Sequence, residues 1–266
     1  MRIGFIGGGF MGEALVGAVL KESVVEAGEV TVSDIAEARR EHLAARYGVA
    51  VTAESAEAAR DADLVVLGVK PQEFSNVAAG LRGALAEGQT LLTIMAGVPI
   101  ARIVDETGHK AVVRVMPNTA AFVGQAMSVW TASDAVSDSG REAAVRLLRS
   151  LGREVEVADE KYLDMATALN GSGPGFIFLF LEALIDAGVQ IGLQPELAEE
   201  LAVQTLFGSA CLAREMDKRP AELRAMVTSR GGTTAAGLQV LEDAGLRNAV
   251  IAAVAAAHER AKELGS

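Results

Sequence analysis

The chain has 266 residues, 50% of them hydrophobic and 22% charged, with a formal net charge of −11. That length suits one large domain or two ordinary ones with a sizeable core, and the acidic balance argues against a nucleic-acid partner or an anionic membrane surface. The single cysteine, Cys211, excludes an intrachain disulfide and any all-cysteine metal site, and its helical setting predicts a packed core residue.

Residues 1–159 alternate strand and helix. "RIGFIG" (2–7) reads as a strand and "MGEALVGAVL" (11–20) as a helix; strands follow at 29–34 and 48–52, with a helix at 35–47 between them. "DLVVLGV" (63–69) and "TLLTIM" (90–95) are unbroken apolar runs, the pattern of strands buried on both faces of a parallel sheet. Strands at 111–118, 126–132 and 153–159, with a helix at 138–150, complete a doubly wound α/β pattern of Rossmann type.

From residue 160 the strand signals vanish. Helices are predicted at 160–169, 174–191, 195–217, 220–228, 233–244 and 246–263, bounded by Gly and Pro. "FIFLFLEALIDAG" and "NAVIAAVAAAHE" are apolar over most of their circumference, which predicts burial on all sides. So much apolar surface in an all-α domain of 160–266 points to a homodimer, or a larger ring of dimers; a self-contained helical core is the alternative. The N-terminus enters a strand without a signal-like apolar run, and the longest apolar run of the C-terminal half, 176–181, is far too short to span a bilayer. A cytoplasmic protein with no membrane partner is therefore expected.

"GGGFMG" sets Gly7, Gly9 and Gly12 in a G-x-G-x-x-G turn, with Phe10 and Met11 between the last two, after a strand and opening a helix. Such glycines permit a tight turn and close backbone approach to a pyrophosphate at the helix N-terminus. The second strand ends at Ser33 and Asp34, about 20 residues beyond Gly12, where an acid usually takes the adenosine ribose hydroxyls and favours NAD. Arg39 and Arg40 follow and are either solvated or within reach of the 2′-phosphate of NADP. "SRGGTTAAGL" (229–238) stops one helix and opens another. Its free N–H groups suit a carboxylate, whereas the plainer reading is a helix capped by threonine. His42, His109 and His258 lie outside all these motifs, and no spacing suits a metal.

"GFIGGGFMGEA" (4–14), "VKPQ" (69–72), "VMPNTAAFVGQAMS" (115–128), "ALNGSGPGFIF" (168–178) and "TSRGGTTAAGL" (228–238), in that order across nearly the whole chain, resemble pyrroline-5-carboxylate reductases. The resemblance implies a Rossmann domain followed by a helical dimerisation and substrate domain. It also implies reduction of the cyclic imino acid Δ1-pyrroline-5-carboxylate to proline by a nicotinamide cofactor and favours NADPH, whereas Asp34 points to NADH as a second donor. It places Val69, Lys70 and Pro71 along the cofactor, Ala96 and Gly97 of "MAGV" over the nicotinamide ribose, and Pro117 and Asn118 near the nicotinamide. Ser229, Gly232 and Thr233 correspond to a carboxylate cradle, and Thr234 to the hydrogen-bond partner of the ring nitrogen. The chain departs from the family pattern at Ser55, Ala120, Asn170 and Arg230.

The implied chemistry asks for orientation more than for a strong acid, because a cyclic imine takes a proton readily. Two other readings share the N-terminal glycines. A β-hydroxyacid dehydrogenase would need a catalytic lysine in the second domain, where only Lys161, Lys218 and Lys262 occur, none in a suitable motif. A cofactor-sensing regulator would not need "GGTT" or "GSGP".

Overall fold

The structure, a computed structural model, describes residues 1–265. The chain packs as two compact units: one holds residues 1–172 together with the last turns from Ala257 onward, the other Gly173–Ala256.

The first unit begins with β1 (Ile3–Ile6), α1 (Phe10–Lys21), β2 (Val30–Ser33), α2 (Glu37–Tyr47), β3 (Ala50–Thr52), α3 (Ser55–Ala59) and β4 (Leu64–Leu67). It continues with α4 (Phe74–Leu81), β5 (Thr90–Thr93), α5 (Ile100–Thr107), β6 (Val112–Met116), β7 (Ala126–Ala132), α6 (Asp138–Leu151), β8 (Gly152–Glu156) and α7 (Lys161–Ala166). The strands form one sheet in the order β3-β2-β1-β4-β5-β6-β7-β8. All neighbours run parallel except β6 and β7, where Val115 faces Trp130 in antiparallel register. The doubly wound pattern is present, and the reversal at β7 follows from its short connection, since a parallel crossover needs a dozen residues or more. Helices α3, α4 and α5, only 5, 8 and 8 residues long, supply crossovers that sequence periodicity left unassigned.

Strand alternation builds a core on each face of the sheet. Ile3, Phe5, Leu64, Val66, Leu92 and Val113 point to the layer of α1 and α6. Ile6, Val65, Leu67, Leu91 and Val112 point to the layer of α4 and α5, where Phe74 and Ile103 are fully buried. Gly4 lets α3 lie against β1: a Cβ there would sit 2.2 Å from the Ala58 carbonyl oxygen.

The strand-to-helix change comes at 160, but packing carries the first unit on to Ser172. Arg114, buried on β6, donates to Glu160 Oε1 at 2.8 Å and Asp164 Oδ1 at 2.9 Å, and Glu160 Oε1 also accepts the Ile100 N–H. A buried guanidinium needs such partners, and they tie α7 to the sheet. The sequence pattern ends one helix at 169 and opens the next at 174, across "GSGP". Instead, Thr167–Gly171 forms a π-helical turn, and the chain stays helical from Lys161 to Gln190.

The second unit contains α8 (Gly173–Gln190), α9 (Pro195–Glu215), α10 (Pro220–Met226), α11 (Thr233–Asp243) and most of α12 (Leu246–Gly265). Helices α8 and α9 pack side by side, Gly188 allowing close approach to Ala198. Glu242 on α11 pairs with Arg224 on α10 and Arg247 on α12. Among the described residues of 173–256, Ala198 and Ala202 are the sole buried side chains, and Ile177, Phe178, Leu179 and Phe207 are exposed. Cys211, expected in a core, is half-buried in the single chain. The Lys161–Gln190 helix has 30 residues, and its most apolar 18-residue stretch, with mean hydropathy 1.4, is long and apolar enough by composition to cross a membrane. Counting only the run 176–181 underestimated it, because the helix continues in both directions with few charges.

Replacing Gly4 by alanine should force β1 and α3 apart and destabilise the protein by about 1–3 kcal/mol, the range for overpacking. Gly28→Ala, where nothing lies within 4 Å of the added Cβ, is the control. Urea denaturation of both variants measures the difference, and equal midpoints would contradict the close packing of α3 on β1.

Candidate functional site

The strand order reverses between β1 and β4, and ligands of doubly wound sheets bind at the carboxyl ends of the strands there. The predicted cofactor residues follow that rule. Gly7, Gly9, Phe10, Met11 and Gly12 follow β1, Ser33 and Asp34 end β2, and Val69, Lys70 and Pro71 follow β4. Ala96 and Gly97 follow β5, and Pro117 and Asn118 follow β6, so the whole set lies at one edge of the sheet. A crevice of about 400 Å³ opens between the β1 and β4 turns, lined by Gly7, Gly9, Ser33, Asp34, Val69 and Lys70 among others.

The β1 turn is built by backbone contact. Gly7 has φ +99°, in the left-handed region, and a Cβ there would meet the Gly68 carbonyl at 2.8 Å. A Cβ on Gly12 would sit 2.1 Å from the Gly7 oxygen. Gly9 is the N-cap of α1 and brings no capping side chain, so the first N–H groups of the helix stay open to an anion.

The peptide of Gly8, which no motif reading singled out, is held at both ends. Asp34 Oδ2 accepts its N–H at 2.8 Å, while Asp34 Oδ1 accepts the Ala36 N–H at 2.9 Å. Its carbonyl accepts from Arg39 Nε at 2.9 Å and also from Arg39 Nη2. Arg39 Nη2 further reaches Glu13 Oε2 at 2.7 Å, and His42 Nε2 lies 2.9 Å from Glu13 Oε1. Burial pushes the Glu13 carboxyl up, but the hydrogen bonds and charges of Arg39 and His42 outweigh it and hold the pKa at about 2. Arg40 turns back on its own chain, donating to the carbonyls of Asp34 and Ile35. The detectable signal for this cluster was a lone acid, Glu13, in the otherwise apolar first turns of α1.

The turn after β6 is fixed through Asn170, a position where the chain departs from the family pattern. Asn118 Nδ2 donates to Asn170 Oδ1 at 2.9 Å, and Asn118 Oδ1 accepts the Ala120 N–H. Asn170 Nδ2 in turn donates to the carbonyls of Met116 and Met127, so the π turn and the ends of β6 and β7 share one polar knot. The Phe10 and Phe122 rings meet at 4.2 Å between centroids, tilted by 46°, joining the β1 and β6 turns, and both are exposed.

In the second unit, Ser229, Gly232, Thr233 and Thr234 come together at the start of α11. The Gly232 N–H donates to the Ser229 carbonyl at 3.1 Å, and a Cβ on Gly232 would sit 2.4 Å from Ser229 Oγ. The helix N-cap is Gly232, without a side-chain bond, and both threonines lie inside the first turn. The reading of a threonine-capped helix is thereby corrected: neither hydroxyl caps, and both threonines are exposed.

Residues 160–264 match the family described as pyrroline-5-carboxylate reductase dimerisation, and residues 2–97 the one described as NADP oxidoreductase coenzyme F420-dependent. Over 265 residues the chain is 40% identical to a pyrroline-5-carboxylate reductase of Synechocystis sp., covering 100% of this chain and 98% of that one. Pyrroline carboxylate reductase of Plasmodium falciparum, solved with NADP bound, has a TM-score of 0.92 to this fold at 31% identity, covering 100% of this chain and 98% of that one. A pyrroline-5-carboxylate reductase from Coxiella burnetii has a TM-score of 0.91 at 34% identity, with the same coverage.

Glu13 has a folded pKa below its ordinary 4.5, so its ion pairs stabilise the fold fully above that value and lose their contribution as pH falls towards about 2. The stability advantage of the unmodified protein over Glu13→Gln should therefore be at its plateau near about pH 5 and shrink steadily below it. Urea midpoints of both proteins across that range check this, and an advantage that persists unchanged at the acid end would contradict the pairing.

Proposed function

The chain belongs to the pyrroline-5-carboxylate reductase family and reduces Δ1-pyrroline-5-carboxylate to L-proline with NADPH, and from that premise we propose how its residues divide the work. It carries a dimerisation domain and takes a small-molecule substrate. The reading rests above all on the switch-point crevice, where a glycine turn closed to side chains at Gly7 and Gly12 leaves the first N–H groups of α1 without a side-chain cap.

The residues present fit a dinucleotide. Gly7 and Gly12 let the turn close on its own backbone beside the crevice, and the cofactor set shares one sheet edge. We assign the pyrophosphate to Gly7, Gly9, Phe10, Met11 and Gly12, the adenosine end to Ser33 and Asp34, and the span between to Val69, Lys70 and Pro71. Ala96, Gly97, Pro117 and Asn118 then hold the nicotinamide end. NADH is taken as a second donor, since the pyrophosphate turn is common to both. When bound, the cofactor supplies the hydride.

The "GGTT" turn is proposed to bind the imino acid. Ser229, Gly232 and Thr233 cradle its carboxylate at the positive end of α11, with the Ser229 hydroxyl and the Thr233 N–H as donors. The Thr234 hydroxyl hydrogen-bonds the ring nitrogen, fixing which face of the imine accepts hydride. No strong general acid is required, and orientation carries the rate. Residues 160–266 are taken as the dimerisation and substrate domain, with 1–159 as the dinucleotide domain. The exposed apolar sides of α8 and α9 are assigned to a partner subunit, in a homodimer or a larger ring of dimers, rather than to a lipid bilayer. A cytoplasmic location, with no nucleic-acid or membrane partner, accords with the net charge of −11.

Thr234→Ala should slow turnover of pyrroline-5-carboxylate by about ten- to a hundredfold, the loss of one hydrogen bond in a desolvated site, with the KM for NADPH nearly constant. Thr233→Ala, which keeps its backbone N–H, should be milder. Substrate-dependent oxidation of NADPH measures both, and full turnover by Thr234→Ala would remove that residue from the site.

Light scattering of active protein should give at least twice the 27.6 kDa of one chain. An active species of single-chain mass would overturn the assembly.

A further inference from the structure

The Glu13–Arg39 pair has no part in the assignments above, and sequence reading offered Arg39 for a different task, reaching the 2′-phosphate. We infer that Arg39 is a positioning residue for the dinucleotide turn: oriented by Glu13, it holds the Gly8 carbonyl opposite Asp34 and serves NADPH and NADH alike. The inference rests on the proposed binding of a dinucleotide at this turn.

Three observations carry it. First, Arg39 points its fork at Gly8, with Nε and Nη2 both on the carbonyl oxygen. Second, its charge is already matched: Glu13 is buried in the first turn of α1 and lies 2.7 Å from Nη2. Swinging Arg39 out to a phosphate would strip a buried carboxylate of its nearest cation and orphan the Gly8 carbonyl, and each loss opposes the movement. Third, the other end of the same peptide is fixed by Asp34 Oδ2. A peptide gripped at both its N–H and its C=O has one orientation. That orientation sets the direction in which the chain enters Gly9 and the open N–H groups of α1. The pyrophosphate those groups face is common to both dinucleotides, whereas the 2′-phosphate is not.

The test compares NADPH and NADH on the unmodified enzyme, Arg39→Ala, Arg39→Lys, Glu13→Gln and the double variant Glu13→Gln/Arg39→Ala. Dissociation constants come from cofactor fluorescence and steady-state constants from the reductase assay. Arg39→Ala should weaken both dinucleotides by the same factor, about tenfold, for the loss of a charged hydrogen bond. Its kcat at saturating cofactor and its KM for pyrroline-5-carboxylate should stay as they are. Arg39→Lys should recover only part of the loss, since an ammonium cannot present a planar fork. Glu13→Gln should weaken both cofactors equally but less, and the double variant should be no worse than Arg39→Ala alone, because the two residues act in series.

A loss confined to NADPH would assign Arg39 to the 2′-phosphate and overturn the inference, as would variants that bind both cofactors normally. Arg39→Lys keeps the question open to refutation should Arg39→Ala fail to fold. An unmodified protein that binds neither dinucleotide would overturn the proposed function and this inference together. Normal binding by that protein with cofactor-selective loss in the variants overturns the inference alone.

Discussion

At the head of β1 the backbone runs so near its neighbours that side chains are shut out. A Cβ on Gly12 would sit 2.1 Å from the Gly7 oxygen, and one on Gly7 would meet Gly68 at 2.8 Å. Those contacts bring the β1 and β4 turns together where the strand order reverses, and the crevice exists because of them. The proximity of main chain to main chain also decides which groups do the holding. A turn with no side chains of its own must be fixed from outside, and Asp34 and Arg39 reach in from the end of β2 and from α2 to do so.

Much of this was legible in the residues. Unbroken apolar runs such as 63–69 read as two-faced strands because burial on both sides of a parallel sheet demands them. The glycine spacing, the strand before it and the helix after it located the turn. Less legible was whatever depended on tertiary partners. Helices α3, α4 and α5 are too short for periodicity to register, and the direction of β7 is set by loop length rather than by composition. Gly8 carries no motif weight, yet its peptide is the one gripped at both ends. Arg39 was visible as a cation near the expected ribose, but its commitment to Glu13 is a matter of packing. Asn170 registered as a departure from a family pattern; that it ties Asn118 to the carbonyls of Met116 and Met127 is evident only in three dimensions.

The two units solve the burial problem differently. In the first, the sheet is covered on both faces and its strands are sealed within the chain. In the second, the described residues bury little beyond Ala198 and Ala202, although α8 is among the most apolar segments. A helix that is apolar all round is stable in water only when something covers it. The match of residues 160–264 to a dimerisation family accords with the proposal that another subunit supplies that cover.

The division of the chain into units has a further consequence, because the last turns of α12 return to the first unit and Ala261 is buried there. The sheet half is thus discontinuous in sequence, with the helices of 173–256 inserted into it. As the ribosome extrudes the chain, the dinucleotide half stays incomplete until the stretch that follows Ala256 has emerged, after the whole of 173–256. A substitution at Ala261 therefore bears on the Rossmann half of the molecule and not on the helical unit that precedes it in sequence.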